Sequence, residues 1–165
     1  MAKFSIYNIK KILIFIFLSI NTFLFSISYA HEYRHNELLI NQPYSTPTRP
    51  GTDNGVMYIV SIKNTSDMED ELIGVSTATA SLSEIHSMKK VNGIMKMRRI
   101  SAIKLPPNET VSIKKGNNNG YHIMLIGLKS KLKHGDSFDA ILHFKNTESL
   151  KVNVEIIKTN NTHKH

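Results

Sequence analysis

Residues 86–97 read His-Ser-Met-Lys-Lys-Val-Asn-Gly-Ile-Met-Lys-Met, and this stretch is the clearest signal of fold in the chain. An Asn-Gly pair flanked by strand-like residues favours a two-residue type I′ turn, in which both turn residues have a positive φ. A β-hairpin with its turn at Asn92-Gly93 is therefore predicted. The facing pairs expected in this register are Val91 with Ile94, Lys90 with Met95, Met88 with Met97, and His86 with Arg99.

The rest of the chain after residue 30 also has the pattern of an all-β protein. Short runs rich in Val, Ile, Thr and Tyr alternate with turn residues, and no segment has an apolar period of 3.6 residues over three turns. Many short strands at this spacing are typical of a β-sandwich or a Greek-key barrel. The predicted strands are Glu37–Asn41, Gly55–Lys63, Leu72–Ser76, Leu82–Lys90, Ile94–Ile100, Thr110–Lys114, Tyr121–Ile126, Ser137–Phe144 and Leu150–Ile157.

Residues 1–30 have the features of a secretory signal peptide. Lys3, Lys10 and Lys11 precede an apolar stretch, which ends in Ser28-Tyr29-Ala30 with small residues at the positions that a signal peptidase reads. We therefore expect a signal peptide at 1–30, a β domain at 31–158 and a flexible His-containing tail at 159–165, with the mature protein in the periplasm. If the apolar stretch is not cleaved, it leaves the protein tethered to the membrane at its N-terminus.

Charge and composition exclude two classes of function, nucleic-acid binding and cysteine chemistry. The whole chain has a net charge of +8, and removal of the three signal-peptide lysines leaves +5, spread along the chain without a basic block. No aromatic and basic pattern of a nucleic-acid module is present, so we expect no nucleic-acid partner. The chain has no cysteine, which excludes disulfides, thiolate metal ligands and Cys nucleophiles.

Three pairs of His or Met residues have i, i+2 spacing, which places both members of a pair on one face of a strand. The pairs are His86/Met88, Met95/Met97 and His122/Met124. The predicted hairpin puts the first two pairs on one face, with His86 and Met97 diagonal to each other. These side chains are either metal ligands or ordinary structural residues. We expect Met57 and Met68 to be core residues, and His134 and His143 to have structural roles.

Among metals, the pairs favour Cu(I). Thioether sulfur and imidazole nitrogen suit this soft cation, whereas carboxylate oxygens suit Ca²⁺ and Mg²⁺. No Asp or Glu lies between the two members of any pair. Methionine is also flexible, which favours ligand exchange with a partner.

The spacing of these residues resembles the motif of the PCu(A)C-type periplasmic copper chaperones. That motif is His or Met, ten residues, Met, 21 residues, then His-x-Met; here His86 and Met97 are followed by His122-Ile123-Met124. The flanking sequences are similar too, in Gly93–Arg98, Gly120–Leu128 and Leu132–Asp136, and the likeness runs from about Glu37 to Ile157. One departure is that 24 residues separate Met97 from His122, with the extra length in the Asn-rich segment 115–120; a second lies in Gln42–Pro47, where the family usually has Trp-Ala-Arg-Ala.

The resemblance implies a cupredoxin-like Greek-key β-barrel or sandwich that lacks the usual Cys ligand. It implies one Cu(I), bound by His86, Met97, His122 and Met124. The implied function is a non-enzymatic copper chaperone that delivers copper toward cytochrome c oxidase assembly. Its partner is then a Sco-type copper protein or the oxidase copper-site subunit, and we expect no small-molecule substrate and a monomer. Met88 and Met95 are not ligands in the family. The roles considered for them are to surround the metal ligands or to form a path for copper uptake.

Two alternatives remain open. His31 as a free N-terminus could chelate Cu(II) as in the histidine-brace oxygenases, which would make the protein an enzyme. The chain could also be an envelope interaction domain without a metal. As a separate hypothesis, the C-terminal pair His163 and His165 captures Cu(II) at an auxiliary site.

Overall fold

The computed structural model describes residues 32–114 and 119–158, with the backbone alone for Asn119. The predicted signal peptide, the predicted tail, His31 and most of the Asn-rich segment lie outside these residues. All regular structure in the described part is β, in eleven strands. The strands are β1 Glu32–His35, β2 Leu38–Ser45, β3 Gly55–Asn64, β4 Asp70–Thr77, β5 Ala80–Val91, β6 Ile94–Arg99, β7 Ile103–Leu105, β8 Thr110–Ile113, β9 Asn119–Leu128, β10 Ser137–Phe144 and β11 Leu150–Ile156. None of the residues that the structure describes forms a helix long and apolar enough to cross a membrane.

All nine predicted strands are present, most with ends shifted by one or two residues, and larger differences occur at three places. The strand predicted to end at Asn41 continues to Ser45, past an irregular position at Gln42, where φ is 44°. Strands β1 and β7 were not predicted. The first is exposed or half-buried throughout and lacks apolar alternation, and the second has only three residues, so neither has a pattern that could be read from sequence.

The strands form one hydrogen-bonded path in the order β6-β5-β9-β3-β2-β11-β10-β4-β7, with β1 added to β2 and β8 added to β3. One core cluster contains Ile85 from near one end of this path and Ile103 and Leu105 from the other end. The sheet must therefore curl around a single core, which also includes Ile59 and Leu142. This core determines which face of each strand points inward.

The β5–β6 hairpin forms as predicted. Asn92 and Gly93 have φ values of 51° and 80°, which is the sign pattern of a type I′ turn. The register pairs Val91 with Ile94, Lys90 with Met95, Met88 with Met97, and His86 with Arg99, so the predicted pairing is confirmed. Strand β6 lies at the end of the sheet path, and all six of its residues are exposed.

We predict that Gly93→Ala loosens this hairpin through backbone strain alone. An added Cβ at Gly93 meets nothing within 4 Å, yet a left-handed φ costs a residue with a Cβ about 1 kcal/mol. Amide hydrogen exchange in β6 should therefore speed up several-fold in the variant. Gly51→Ala is a matched control, because Gly51 has a φ of 77° and equally open space but lies outside the hairpin. Equal exchange in β6 for both variants would contradict the prediction.

Candidate metal centre

The candidate site lies where β5 runs between β6 and β9. His86 on β5 pairs with His122 on β9 and with Arg99 on β6, so three side chains form one row across the sheet. The neighbouring row on one side contains Met97, Met88 and Gly120. In the row on the other side, Glu84 pairs with Met124.

Core packing sets which face these residues share. Ile85 on β5 and Ile123 on β9 pair with each other and belong to the buried core. Because side chains alternate along a strand, His86 and His122 point away from that core. Their ring centroids are 5.4 Å apart, with an interplanar angle of 60°.

Hydrogen bonding orients His86. Its Nε2 lies 2.9 Å from Oε2 of Glu84, and the other carboxylate oxygen lies 3.2 Å from Nη1 of Arg99. A carboxylate oxygen accepts, so Nε2–H of His86 is the donor in this contact. The contact with Glu84 engages Nε2, so Nδ1 is the nitrogen of His86 that a metal could use.

His122 has an unsatisfied buried atom. The side chain is 3% exposed, and its Nδ1 has no hydrogen-bond partner. A buried polar atom left without a partner costs about 1–3 kcal/mol, so such atoms are rare and mark functional positions. Burial, followed by the nearby His86, lowers the pKa of His122 below its ordinary value of 6.5. The ring is thus kept neutral, which is the form that binds a metal.

The four predicted ligands are not equally close. Met124 is half-buried, follows His122 by two residues on the same face, and lies diagonal to His86 at about 7–8 Å between Cα atoms. Met97 is also diagonal to His86, but it is 62% exposed and on the far side from Met124. In this register, Met97 and Met124 are two strands apart, which separates them by about 10 Å across the sheet. They are also four residues apart along the strands, which adds about 14 Å in that direction. The structure therefore brings together His86, His122 and Met124, with Met97 at the open edge.

Carboxylate-rich metal sites are absent from the described residues. No group of three or more His, Asp or Glu side chains in ranges 32–114 and 119–158 could hold an ion. His143 is hydrogen-bonded to Ser76 and Ser149, and His134 to the carbonyl of Ile156, in keeping with the structural roles expected for them. Met57 is fully buried in the core, as expected. The core prediction for Met68 was wrong, because Met68 lies in a bend between β3 and β4 and is 74% exposed.

Sequence reasoning missed Glu84 and Arg99. The search for acidic residues covered only the positions between the two members of each His/Met pair, whereas Glu84 precedes His86 by two residues. The same i, i+2 rule that grouped the ligands would have placed Glu84 on the ligand face. Arg99 was assigned opposite His86 by the hairpin register, but its ion pair with Glu84 needed the structure.

Comparison with known proteins identifies the family. A family model described as Putative lipoprotein LpqE-like matches residues 38–156. The chain belongs to the LpqE-like family. A putative lipoprotein from Leifsonia xyli subsp. xyli (strain CTCB07) is 29% identical over 96 residues, which are 58% of this chain. The chain spans about half the length of that relative, 56%.

Solved structures identify the fold. The apo PCuAC domain from PmoF1 matches with a TM-score of 0.65 at 22% identity, over 78% of this chain and 100% of that domain. The copper-bound PCuAC domain from PmoF2 gives 0.65 at 23% identity, over 78% and 99%. The Cu(I) form of DR1885 from Deinococcus radiodurans gives 0.59 at 22% identity, over 79% and 83%. The resemblance to PCu(A)C-type domains is confirmed, and so is the all-β, cupredoxin-like fold.

The lowered pKa of His122 predicts a pH-dependent stability. Unfolded His122 takes up a proton near pH 6.5, whereas the folded residue does so only at lower pH. The unfolded state therefore binds more protons in this interval, and the free energy of unfolding falls as the pH drops from about 7 through the folded pKa. An NMR titration of the His122 ring protons measures the midpoint directly. A midpoint at or above 6.5 in the metal-free protein would rule out the assigned environment.

The hydrogen bond from His86 to Glu84 predicts one tautomer for His86. In the Glu84→Ala variant, we expect a mixture of Nε2–H and Nδ1–H forms, because the acceptor that selects the first form is lost. Nitrogen-15 chemical shifts of the ring report the two populations. Glu148→Ala is a control, since His35 contacts only the backbone carbonyl of Glu148 and should keep its shifts. An unchanged His86 spectrum in Glu84→Ala would show that Glu84 does not set the tautomer.

Proposed function

We propose that this protein is a non-enzymatic copper(I) chaperone of the cell envelope, which binds one Cu(I) at the β5–β9 pair. The observation that carries the proposal is the buried, partnerless Nδ1 of His122 beside the ring of His86. Two imidazoles and a nearby thioether are a donor set that suits Cu(I). The copper-bound PmoF2 domain and the Cu(I) form of DR1885 support copper as the metal.

The proposed ligands are His86, His122, Met124 and Met97. The first three share one patch of the β5–β9 surface, and Met97 reaches it from the neighbouring strand β6. An exposed, flexible thioether is suited to leave the metal first when a partner takes it. The site is thus suited to transfer of an ion.

The proposed partner is a Sco-type copper protein or the copper-site subunit of the oxidase, as the motif implies. Such a partner must approach Met97, and the exposed cations around it are Lys89, Lys90, Lys96, Arg98 and Arg99. Residues 85–99 contain no acidic side chain. Charge complementarity therefore favours a partner that is acidic around its own metal ligands.

Export to the periplasm remains part of the proposal. The signal-peptide pattern of residues 1–30 and the lipoprotein descriptions of the family and its relative both support an envelope location. No cysteine in the 165 residues offers a thiol for lipid attachment.

We predict one tight Cu(I) per chain in an anaerobic titration against a competing Cu(I) chelator. His122→Ala should weaken binding by about tenfold or more, because it removes the only buried ligand nitrogen, and Met97→Ala should also weaken it. Met68→Ala is the control, because Met68 is 74% exposed and lies outside the site. Unchanged affinity in both site variants would overturn the proposal, and failure of the parent protein to bind Cu(I) would favour the metal-free alternative.

The auxiliary Cu(II) hypothesis concerns His163 and His165, outside the described residues. Truncation after Lys158 should reduce Cu(II) uptake and leave Cu(I) affinity unchanged, since the proposed Cu(I) ligands are all retained. Cu(II) binding is measured by electron paramagnetic resonance before and after truncation. Equal Cu(II) signals would exclude a role for the tail and direct attention to His31.

A further inference from the structure

The hairpin carries three methionines beside the histidines, of which the proposed copper site uses only one. Met88 pairs directly with Met97 across β5 and β6. Met95 precedes Met97 by two residues on the same face, and it lies diagonal to Met88 at about 7–8 Å between Cα atoms. Each of the three side chains is therefore a near neighbour of the other two.

Burial sets Met88 apart from ordinary core residues. It is 8% exposed but does not belong to the core cluster, and by alternation it shares the face of His86. Its partner on β9 is Gly120, which has no side chain and leaves room on that side. A flexible thioether is thus held against the sheet next to the histidines.

Met95 and Met97 are large apolar side chains in an exposed position. They are 38% and 62% exposed, on a strand whose residues are all solvent-accessible. Met95 and Met97 therefore contribute little to folding stability, because apolar stabilisation depends on the area removed from water. Their arrangement is explained better by the sulfur atoms they present than by packing.

We propose that Met88, Met95 and Met97 form a second soft-metal site, which binds Cu(I) or Ag(I) through three thioether sulfurs. Three neutral sulfur donors suit these soft monovalent cations and disfavour hard ions. The site is open to solvent through Met95 and Met97, and it adjoins the first site because Met88 follows His86 by two residues.

The charges nearby make this second site the weaker of the two. Lys90 pairs with Met95 and shares the methionine face, so its ammonium repels a bound cation. At the histidine site, by contrast, the nearby cation Arg99 is paired with the carboxylate of Glu84. A weak, exposed site next to a tight, buried one can take up the metal ion first and pass it on, and Met97 can serve either site. This uptake role rests on the proposed function, whereas the thioether site itself does not.

The test uses Ag(I), which is redox-inert, and methyl-labelled methionine in the full exported chain. In the parent protein, a first equivalent of Ag(I) should shift the His122 ring and the Met124 methyl signals. A second equivalent should shift the methyl signals of Met88 and Met95. In His122→Ala, the shifts of Met88 and Met95 should persist.

Substitution by leucine tests the sulfur atoms with little change of volume. Met88→Leu combined with Met95→Leu should weaken the Ag(I) binding that remains in His122→Ala by about tenfold or more. Met68→Leu in the same background is the matched control and should have no effect. Circular dichroism confirms that the β fold is retained in each variant.

The outcomes separate this inference from the proposed function. If His122 and Met124 respond while Met88 and Met95 do not, the second site is wrong and the proposed function stands. If Met88 and Met95 respond while His122 does not, the second site stands and the proposed copper site is wrong. Undiminished binding in the double leucine variant would also overturn the thioether site.

Discussion

The antiparallel pairing of β5 with β9 is the interaction on which both the fold and the site depend. Its register, from Ala80 opposite Leu128 to Lys89 opposite Asn119, places Ile85 and Ile123 together in the core. The same register places His86 opposite His122 on the other face. Because side chains alternate, a slip of one residue would expose the isoleucines and bury the site face. Burial of the core therefore holds the two imidazoles in contact.

The site combines features that cost stability with features that bind a soft cation. The Nδ1 of His122 is buried without a partner, and its ring is kept neutral by burial and by His86. Glu84 and Arg99 form an ion pair at the rim, where the carboxylate also contacts Nε2 of His86. Because Arg99 offsets the charge of this carboxylate, the proposed Cu(I) site relies on soft, uncharged donors rather than on negative charge.

The four methionines on the β5, β6 and β9 surface form an enclosed part and an open part. Met124 and Met88 are held against the sheet, whereas Met97 and Met95 project from an edge strand that has no further neighbour in the described sheet path. The cations of the hairpin surround the open part. In the proposed function, the buried His122 therefore lies on the enclosed side, and the side open to exchange presents the exposed thioethers of Met95 and Met97. This division follows from the position of β6 at the end of the sheet path.

Sequence by itself determined the all-β class, nine of the eleven strands, the hairpin register and the residue types of a soft-metal site. These features are local, because strand alternation and the Asn92-Gly93 turn depend on residues close in sequence. Only the tertiary structure decided that His122 lies opposite His86, that its Nδ1 is left without a partner, and that Met97 stays apart from Met124. It also decided the role of Glu84 and the presence of β1 and β7. These features depend on the pairing of β9 with β5, whose paired residues are thirty or more positions apart in sequence. The curling of the sheet around one core sets that pairing, and no local pattern does.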